Sequence, residues 1–323
     1  MRVLSNNEFK TFEQLVSLTQ KELHAAMTVF LKSKYNNVIV NDKYICAKGD
    51  IPIALVAHMD TVFKTPAYEV YYDPRRNVMW SPDGLGADDR AGVYAIVDII
   101  RSGLRPHVIF TTDEEMGCIG ADELAKYECP FDDLKYIIQL DRQGANDCVF
   151  YDCYNPAFID YIENFGFVES WGTFSDISSL CPAWRICGVN LSVGYYGEHS
   201  FSEYLCVGQL FETIKKVKVM LQEQDIPEFE YKKLNRSHFN YLLKDYYDVD
   251  DPYVICSGCG HTFGEYDTFP VKGIDGGTKY YCIDCIDGRV DWCVNCEEAF
   301  ELDPNHSSTL CPDCVEVFYG GNN

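Results

Sequence analysis

The chain has 323 residues, of which 27 are lysine or arginine and 50 are aspartate or glutamate, giving a formal net charge of −23. This excess of acid argues against nucleic acid or an anionic membrane as a general partner, because both would repel the chain. The length is sufficient for a catalytic domain and a small additional module.

The N-terminal segment lacks the unbroken apolar stretch of a signal peptide, and no run is long enough to span a bilayer. We therefore expect a cytoplasmic protein. Of the 16 cysteines, half are scattered over residues 1–225 and half form CxxC pairs after residue 255. In a reducing compartment this distribution predicts metal binding rather than disulfides.

Helical and strand patterns alternate along the first part of the chain. Residues 8–34 have the apolar spacing of helices, and two short strands joined at Asn41 and Asp42 follow. Further strands are predicted at 51–57, 107–112, 136–140, 147–152 and 186–193, and helices at 88–102, after Pro156 and at 202–222. This alternation predicts an α/β domain with a mostly parallel mixed sheet sandwiched by helices.

Composition divides the chain into three parts. Residues 1–225 are predicted to form the α/β catalytic domain, and residues 226–252 a polar connector with a short helix around 239–244. Residues 253–323 form a cysteine-rich module with a weak internal repeat.

Two histidines and three carboxylates stand out because each lies at a predicted strand end or in a loop: His58, Asp88, Glu115, Asp141 and His199. Open α/β sheets place their sites at such positions. Two imidazoles and three carboxylates can hold two divalent metals with one carboxylate shared, and such a pair of metals catalyses hydrolysis. Taken singly, each residue has an ordinary explanation, such as a helix N-cap for Asp88. All five in this order are hard to obtain by chance.

Residues beside these candidates have possible roles of their own. His58 and Asp60 are two positions apart at a strand end, so the carboxylate can reach the imidazole and fix its tautomer. Asp89 and Arg90 are expected to form an ordinary surface pair. Arg142 and Tyr196 are candidates for binding substrate, although an arginine beside acids more often pairs with them.

The segments HMD, GADDRAG, TDEEMG, QLD and EHS follow one another in the chain. They resemble, in order and rough spacing, the motifs of the co-catalytic dinuclear zinc exopeptidases, which include peptidase T, the secreted bacterial leucine aminopeptidases and the carboxypeptidase G type. The resemblance runs from residue 50 or so to residue 222. It implies a zinc-dependent hydrolase of peptide or other amide bonds.

The resemblance also implies a role for each matching residue. His58 and Asp141 would bind one metal, Glu115 and His199 would bind the other, and Asp88 would bridge the two. It further implies that Glu114 is the general base, that Asp60 orients His58, and that the peptide bond between Asp88 and Asp89 is cis.

The interval between Asp141 and His199 is too short for the lid or dimerisation domain that peptidase T and the carboxypeptidase G type insert there. The sequence therefore predicts a lidless catalytic domain and favours cleavage near a free N-terminus. One alternative is hydrolysis of N-acyl amino acids or other amides at the same metals. Another is an inert adaptor acting through its zinc module, against which the intact Glu114 and full ligand set argue.

The C-terminal module contains four CxxC pairs: Cys256 and Cys259, Cys282 and Cys285, Cys293 and Cys296, and Cys311 and Cys314. Two such pairs complete one tetrahedral zinc site, so the module is predicted to hold two structural zincs and resembles zinc ribbons or treble clefs. The repeat favours sequential pairing, with a cross-brace as the alternative. From Pro252 onward 12 acidic residues face 3 basic ones, which favours a protein partner or self-association over nucleic acid.

Overall fold

A computed structural model describes residues 4–151, 153–172 and 174–233, and, further on, 253–260, 262–264, 268–274, 277–286, 289–293, 295–296, 299–302, 311 and 314. The chain forms two compact units, Met1–Asn235 and Arg236–Asn323. Ile226, Phe229 and Tyr231, which lie in the predicted connector, pack against the core of the first unit. The helix predicted around 239–244 lies outside the described residues.

The first unit is built on an eight-stranded sheet with the order β1-β2-β6-β3-β7-β10-β8-β9. Its strands are β1 (Asn37–Val40), β2 (Tyr44–Lys48), β3 (Ile51–His58), β6 (Pro106–Thr111), β7 (Tyr136–Arg142), β8 (Asp147–Val149), β9 (Val168–Glu169) and β10 (Cys187–Ser192). The central strands β6, β3, β7 and β10 are parallel to their neighbours in that group. The predicted mostly parallel mixed sheet is thereby confirmed.

Helices cover both faces of this sheet. They are α1 (Asn6–Val16), α2 (Gln20–Lys32), α3 (Ala87–Arg101), α4 (Ile119–Leu124), α5 (Pro156–Glu163), α6 (Asp176–Trp184) and α7 (Val207–Leu221). Alternate residues of β3 point to opposite faces: Leu55 packs with the cluster that contains α1, α2, α3, α5 and α7, whereas Val56 packs with α4 and α6.

A second, four-stranded antiparallel sheet was not predicted. It has the order β11-β12-β5-β4 and consists of β4 (Tyr71–Asp73), β5 (Val78–Trp80), β11 (Tyr195–Tyr196) and β12 (Tyr204–Cys206). Its strands are only two or three residues long, which is too short for a period-two pattern to stand out. The helix predicted over 202–222 begins only at Val207, because β12 occupies the residues before it.

The described residues of the second unit form two small sheets. A hairpin joins β13 (Tyr253–Ile255) to β14 (Thr262–Gly264), and a four-stranded sheet has the order β16-β15-β18-β17. The latter consists of β15 (Phe269–Lys272), β16 (Thr278–Tyr281), β17 (Val290–Trp292) and β18 (Ala299–Glu301). A short helix, α8 (Ile283–Ile286), follows β16.

Candidate metal centre

The carboxyl ends of the central parallel strands bring the five predicted residues together. His58 is the last residue of β3, Asp141 lies near the end of β7, and Glu115 follows the end of β6. Asp88 lies at the start of α3, and His199 lies in the loop between β11 and β12. Residues from five separate segments thus meet at one edge of the sheet, where open α/β folds place their sites.

Asp88 lies between the two imidazoles. Its Oδ1 is 3.2 Å from His58 Nε2, and its Oδ2 is 3.3 Å from His199 Nε2. His58 Nε2 is also 3.4 Å from Asp141 Oδ1, while His199 Nε2 is 3.0 Å from Glu115 Oε2. Two three-residue groups result, each with its ligand atoms within 4.8 Å of one another, and they share Asp88.

Asp60 contacts a residue of each group without belonging to either. Its Oδ1 lies 3.3 Å from His58 Nδ1, and its Oδ2 accepts a hydrogen bond of 3.0 Å from the backbone N–H of Glu115. The carboxylate therefore contacts the far nitrogen of one imidazole and holds the backbone of a residue in the other group. A carboxylate in this place is the usual partner that orients a metal-binding histidine.

Asp141 is held by side chains that the sequence analysis did not identify. Gln139 Nε2 and Ser175 Oγ donate to its Oδ2 at 3.0 and 2.9 Å, and the Tyr195 hydroxyl donates to its Oδ1 at 3.3 Å. The Asn190 side-chain amide pairs with the Asp141 backbone. Its Nδ2 donates to Asp141 O and its Oδ1 accepts from the Asp141 N–H, at 2.9 Å each. Gln139 and Asn190 interrupt otherwise apolar strands, which is the sequence signal that could have found them.

Asp89 and Arg90 do not form the predicted surface pair, and that prediction is wrong. Both side chains are buried. The Asp89 carboxylate accepts hydrogen bonds from the backbone N–H groups of His58 and Gly92, at 3.3 and 2.9 Å, while Arg90 Nη1 donates to Leu15 O at 2.8 Å. The acidic run lies at the buried start of α3, where backbone N–H groups stabilise anions. The bond between Asp88 and Asp89 is cis, as the resemblance implies.

Carboxylates outnumber the two imidazoles in this centre, so its negative charge is not fully neutralised. Burial disfavours charge on His58, but Asp141 and Asp60 outweigh it and raise its pKa well above the ordinary value. Hydrogen bonds that His199 donates to the carboxylates of Asp88 and Glu115 raise its pKa to about 11. Glu115 Oε1 is buried without a hydrogen-bond partner among the described residues. Buried oxygens and imidazole nitrogens with excess negative charge are a donor set that suits divalent cations.

Glu114 lies beside this donor set without being part of either group. Its Oε2 is 3.9 Å from His58 Nε2, and its side chain is buried. Burial, reinforced by Asp141 and Asp176, raises its pKa to about 9. The preceding residue, Asp113, has a left-handed backbone (φ 56°) and pairs with Lys43 at 2.6 Å. The chain thereby turns so that Glu114 and Glu115 point in different directions.

The structure gives the two predicted substrate-binding residues other surroundings. Arg142 Nη2 lies 3.5 Å from Ser170 Oγ and 3.9 Å from Asp147 Oδ2. Tyr196 donates to Gln209 Oε1 at 2.8 Å, and its ring stacks on Tyr204. Its neighbour Tyr195, which contacts Asp141, points to the opposite face of the small sheet. A role of Arg142 and Tyr196 in binding substrate stays a prediction.

The eight C-terminal cysteines form two further groups. The sulfurs of Cys256, Cys259, Cys282 and Cys285 lie within 4.8 Å of one another, and so do those of Cys293, Cys296, Cys311 and Cys314. This grouping is the sequential arrangement rather than the cross-brace. Burial acts against the Cys256 thiolate, but backbone N–H groups of Cys282, Cys259 and Gly258 outweigh it and lower its pKa to about 6. Thiolates arranged in this way suit a tetrahedral metal.

Comparison with known proteins gives one family match. The model of Peptidase family M28 matches residues 37–162, a segment that contains four of the five candidate ligands but ends before His199. A search of curated proteins finds no match. Within the part of the chain that the structure describes, no helix is long and apolar enough to cross a membrane.

Several solved structures share the fold. An aminopeptidase PepT from Bacillus cereus has 16% identity and a TM-score of 0.50, and a tripeptidase from Staphylococcus aureus has 14% and 0.52. A TET aminopeptidase from a marine-sediment Thaumarchaeota archaeon has 12% and 0.54. Each comparison covers 68% of this chain and 98% of the other. The structures confirm the predicted fold, and the family match confirms the predicted enzyme class, a metallopeptidase.

Proposed function

We propose that the chain is a dinuclear metal-dependent aminopeptidase or small-peptide hydrolase. The observation that carries this proposal is the pair of ligand groups that share Asp88, with Glu114 beside them. His58 and Asp141 would hold one zinc ion, and Glu115 and His199 the other. Each of these side chains except that of His199 is largely buried, so the donor atoms are held in place before any metal binds.

Two bound cations would lower the pKa of a water molecule and polarise the scissile carbonyl. The protein's own groups supply the remainder. Bound cations would lower the raised pKa of the Glu114 carboxylate, which would then accept a proton from the attacking water and return it to the leaving amine. Asp60 holds His58 in one tautomer through Nδ1, which leaves Nε2 free to bind metal. The excess of buried carboxylates would favour binding of both cations.

The free N-terminus of a peptide is the substrate group that we propose this site recognises. Two divalent cations would offset the surplus of carboxylates in this centre, so the proposal rests on the short interval between Asp141 and His199 and not on charge. The interval between Asp141 and His199 is taken up by β8, α5, β9, α6, β10 and β11, together with their connecting loops. Its described residues therefore form no separate lid domain.

The two four-cysteine groups would hold structural zinc. The small hydrophobic clusters of the second unit consist largely of these cysteines, so the metals would provide much of its core. With both kinds of site loaded, the chain would contain about four metal ions.

Replacing the proposed base tests the mechanism. Glu114→Gln keeps the size of the side chain but cannot take a proton from water, so kcat should fall by a factor of about 100 to 10,000. Metal content, measured on the same samples, should stay unchanged. Glu123→Gln, which removes an equal charge from α4, serves as the control. Full activity in Glu114→Gln would overturn the proposed mechanism.

A substrate panel separates the proposed activity from its alternatives. Peptides with a free amino group should be cleaved, whereas N-acetylated versions of the same peptides should not. Preferential cleavage of N-acyl amino acids would instead favour the amide-hydrolase alternative. No turnover of any amide, together with metal bound only at the cysteines, would favour the adaptor.

A further inference from the structure

Glu203 is a buried carboxylate that the catalytic scheme does not use. Its side chain is 1% exposed and lies at the end of the loop that carries His199. Its Oε2 accepts a hydrogen bond of 2.6 Å from the backbone N–H of Gly86, and its Oε1 accepts one of 2.9 Å from the backbone N–H of Asp88. A residue distant in sequence thus holds the turn that presents the shared carboxylate.

The turn that leads into α3 needs such a partner from elsewhere in the fold. Gly86 has a left-handed backbone (φ 65°) and no side chain, and the backbone is not helical at Asp88 and Asp89. The regular helix that follows is capped locally, because Asp89 Oδ1 accepts from the backbone N–H of Gly92. Glu203 therefore holds the turn before the helix, where it accepts from the backbone N–H groups of Gly86 and Asp88.

The same contact restrains His199. The His199 side chain is 55% exposed, so packing alone does not fix its position, and its backbone is left-handed (φ 60°). The loop closes on itself through Ser200 Oγ to Gly197 O at 2.7 Å and Glu203 N to Ser200 O at 3.1 Å. Glu203 is the one buried residue among the loop residues 197–203, and its contacts hold the loop against the Asp88 turn.

We propose that Glu203 is a positioning residue that couples the Asp88 turn to the His199 loop and so sets metal affinity at the Asp88, Glu115 and His199 group. This inference rests on the proposed function. Glu203 thereby fixes the distance between Asp88, which is the shared carboxylate, and His199, which is the least buried ligand. The His58 and Asp141 group depends on it less, because Gln139, Ser175, Tyr195 and Asp60 hold those two residues.

The test measures zinc affinity of the full chain in zinc buffers, using Glu203→Gln and Glu203→Ala. Zinc retained by the cysteine groups is tight and forms a constant background, so the labile fraction reports the carboxylate and imidazole groups. Loss of such an outer partner weakens metal binding by about 10- to 100-fold. We expect the upper end for Glu203→Ala and the lower end for Glu203→Gln, which keeps the size and one acceptor oxygen.

Glu212→Gln removes the same charge from an exposed site on α7 and should bind zinc as the unaltered chain does. In both Glu203 variants, excess zinc should restore part of the lost kcat while KM changes little, a response that general destabilisation would not give. Unchanged zinc affinity in Glu203→Gln and Glu203→Ala, with labile zinc present in the unaltered chain, would overturn this inference alone. An unaltered chain without labile zinc would overturn the proposed function and this inference with it.

Discussion

The two kinds of ligand cluster in this chain are assembled over very different distances. The carboxylate and imidazole groups draw on residues from His58 to His199, whereas one cysteine group extends from Cys256 to Cys285 and the other from Cys293 to Cys314. The first cluster lies at the edge of a sheet with a large apolar core, while cysteines make up at least half of the buried residues in each apolar cluster described in the second unit. In the first unit the fold holds the ligands, and in the second we expect the metal to hold the fold.

Metal removal is the strongest test of this contrast. A strong chelator should reduce peptidase activity by about a thousandfold or more, because several kcal/mol of transition-state stabilisation would be lost. Hydrogen exchange should become fast in peptides from the second unit and stay slow in β3, β6 and β7. Mass spectrometry on the full chain would measure both. Loss of protection in the central strands would contradict the idea that the first unit holds its ligands without metal.

Close packing of α3 on the sheet offers a test with a smaller effect. A Cβ added at Gly92 would lie 2.0 Å from Leu140 O and 2.5 Å from Asp89 Oδ1. Gly92→Ala should therefore destabilise the first unit by about 2–3 kcal/mol, since neither α3 nor β7 can move freely. Urea titration followed by hydrogen exchange of first-unit peptides would measure the change.

The matched control for that substitution is Gly208→Ala in α7. A Cβ at Gly208 would meet only Asn77 Nδ2, at 3.1 Å. Its effect should be well below that of Gly92→Ala. Equal loss of stability in the two variants would show that the close approach of α3 to β7 is not what makes alanine unfavourable at position 92.

The smallest expected effect is a pH dependence that belongs to the first unit. Burial lowers the pKa of His107, only partly offset by Asp133 at 3.1 Å, and its ring stacks on Phe131. Below pH 6.5 the unfolded chain binds a proton that the folded chain resists, so stability falls as pH decreases. The slope from one such group is at most about 1.4 kcal/mol per pH unit.

The variant His107→Gln should lose this component. The difference between its urea-unfolding curves and those of the unaltered chain, measured from pH 7.5 to 5, isolates the histidine from the carboxylates of the metal centre. Identical pH profiles for the two proteins would contradict the assignment.

Local patterns in the sequence were sufficient for most of the central sheet and for the cysteine groups. The apolar runs that became β3, β6, β7 and β10 are long enough to identify without a structure, and a polar ligand follows or ends three of them. CxxC pairs are visible because both sulfurs of a pair come from one turn. The small sheet of β4, β5, β11 and β12 was missed because each strand is too short to show a period.

The sequence by itself determined which residue types meet the metals and in what order, because strand ends and turns are local properties. Only the tertiary structure decided that the two oxygens of Asp88 face different imidazoles, that Asp89 and Arg90 are buried, and that Glu203 holds the turn before α3. These contacts join residues from opposite ends of the domain. They depend on the order of strands in the sheet, with β7 between β3 and β10, and hydrophobic periodicity along one segment contains no information about that order.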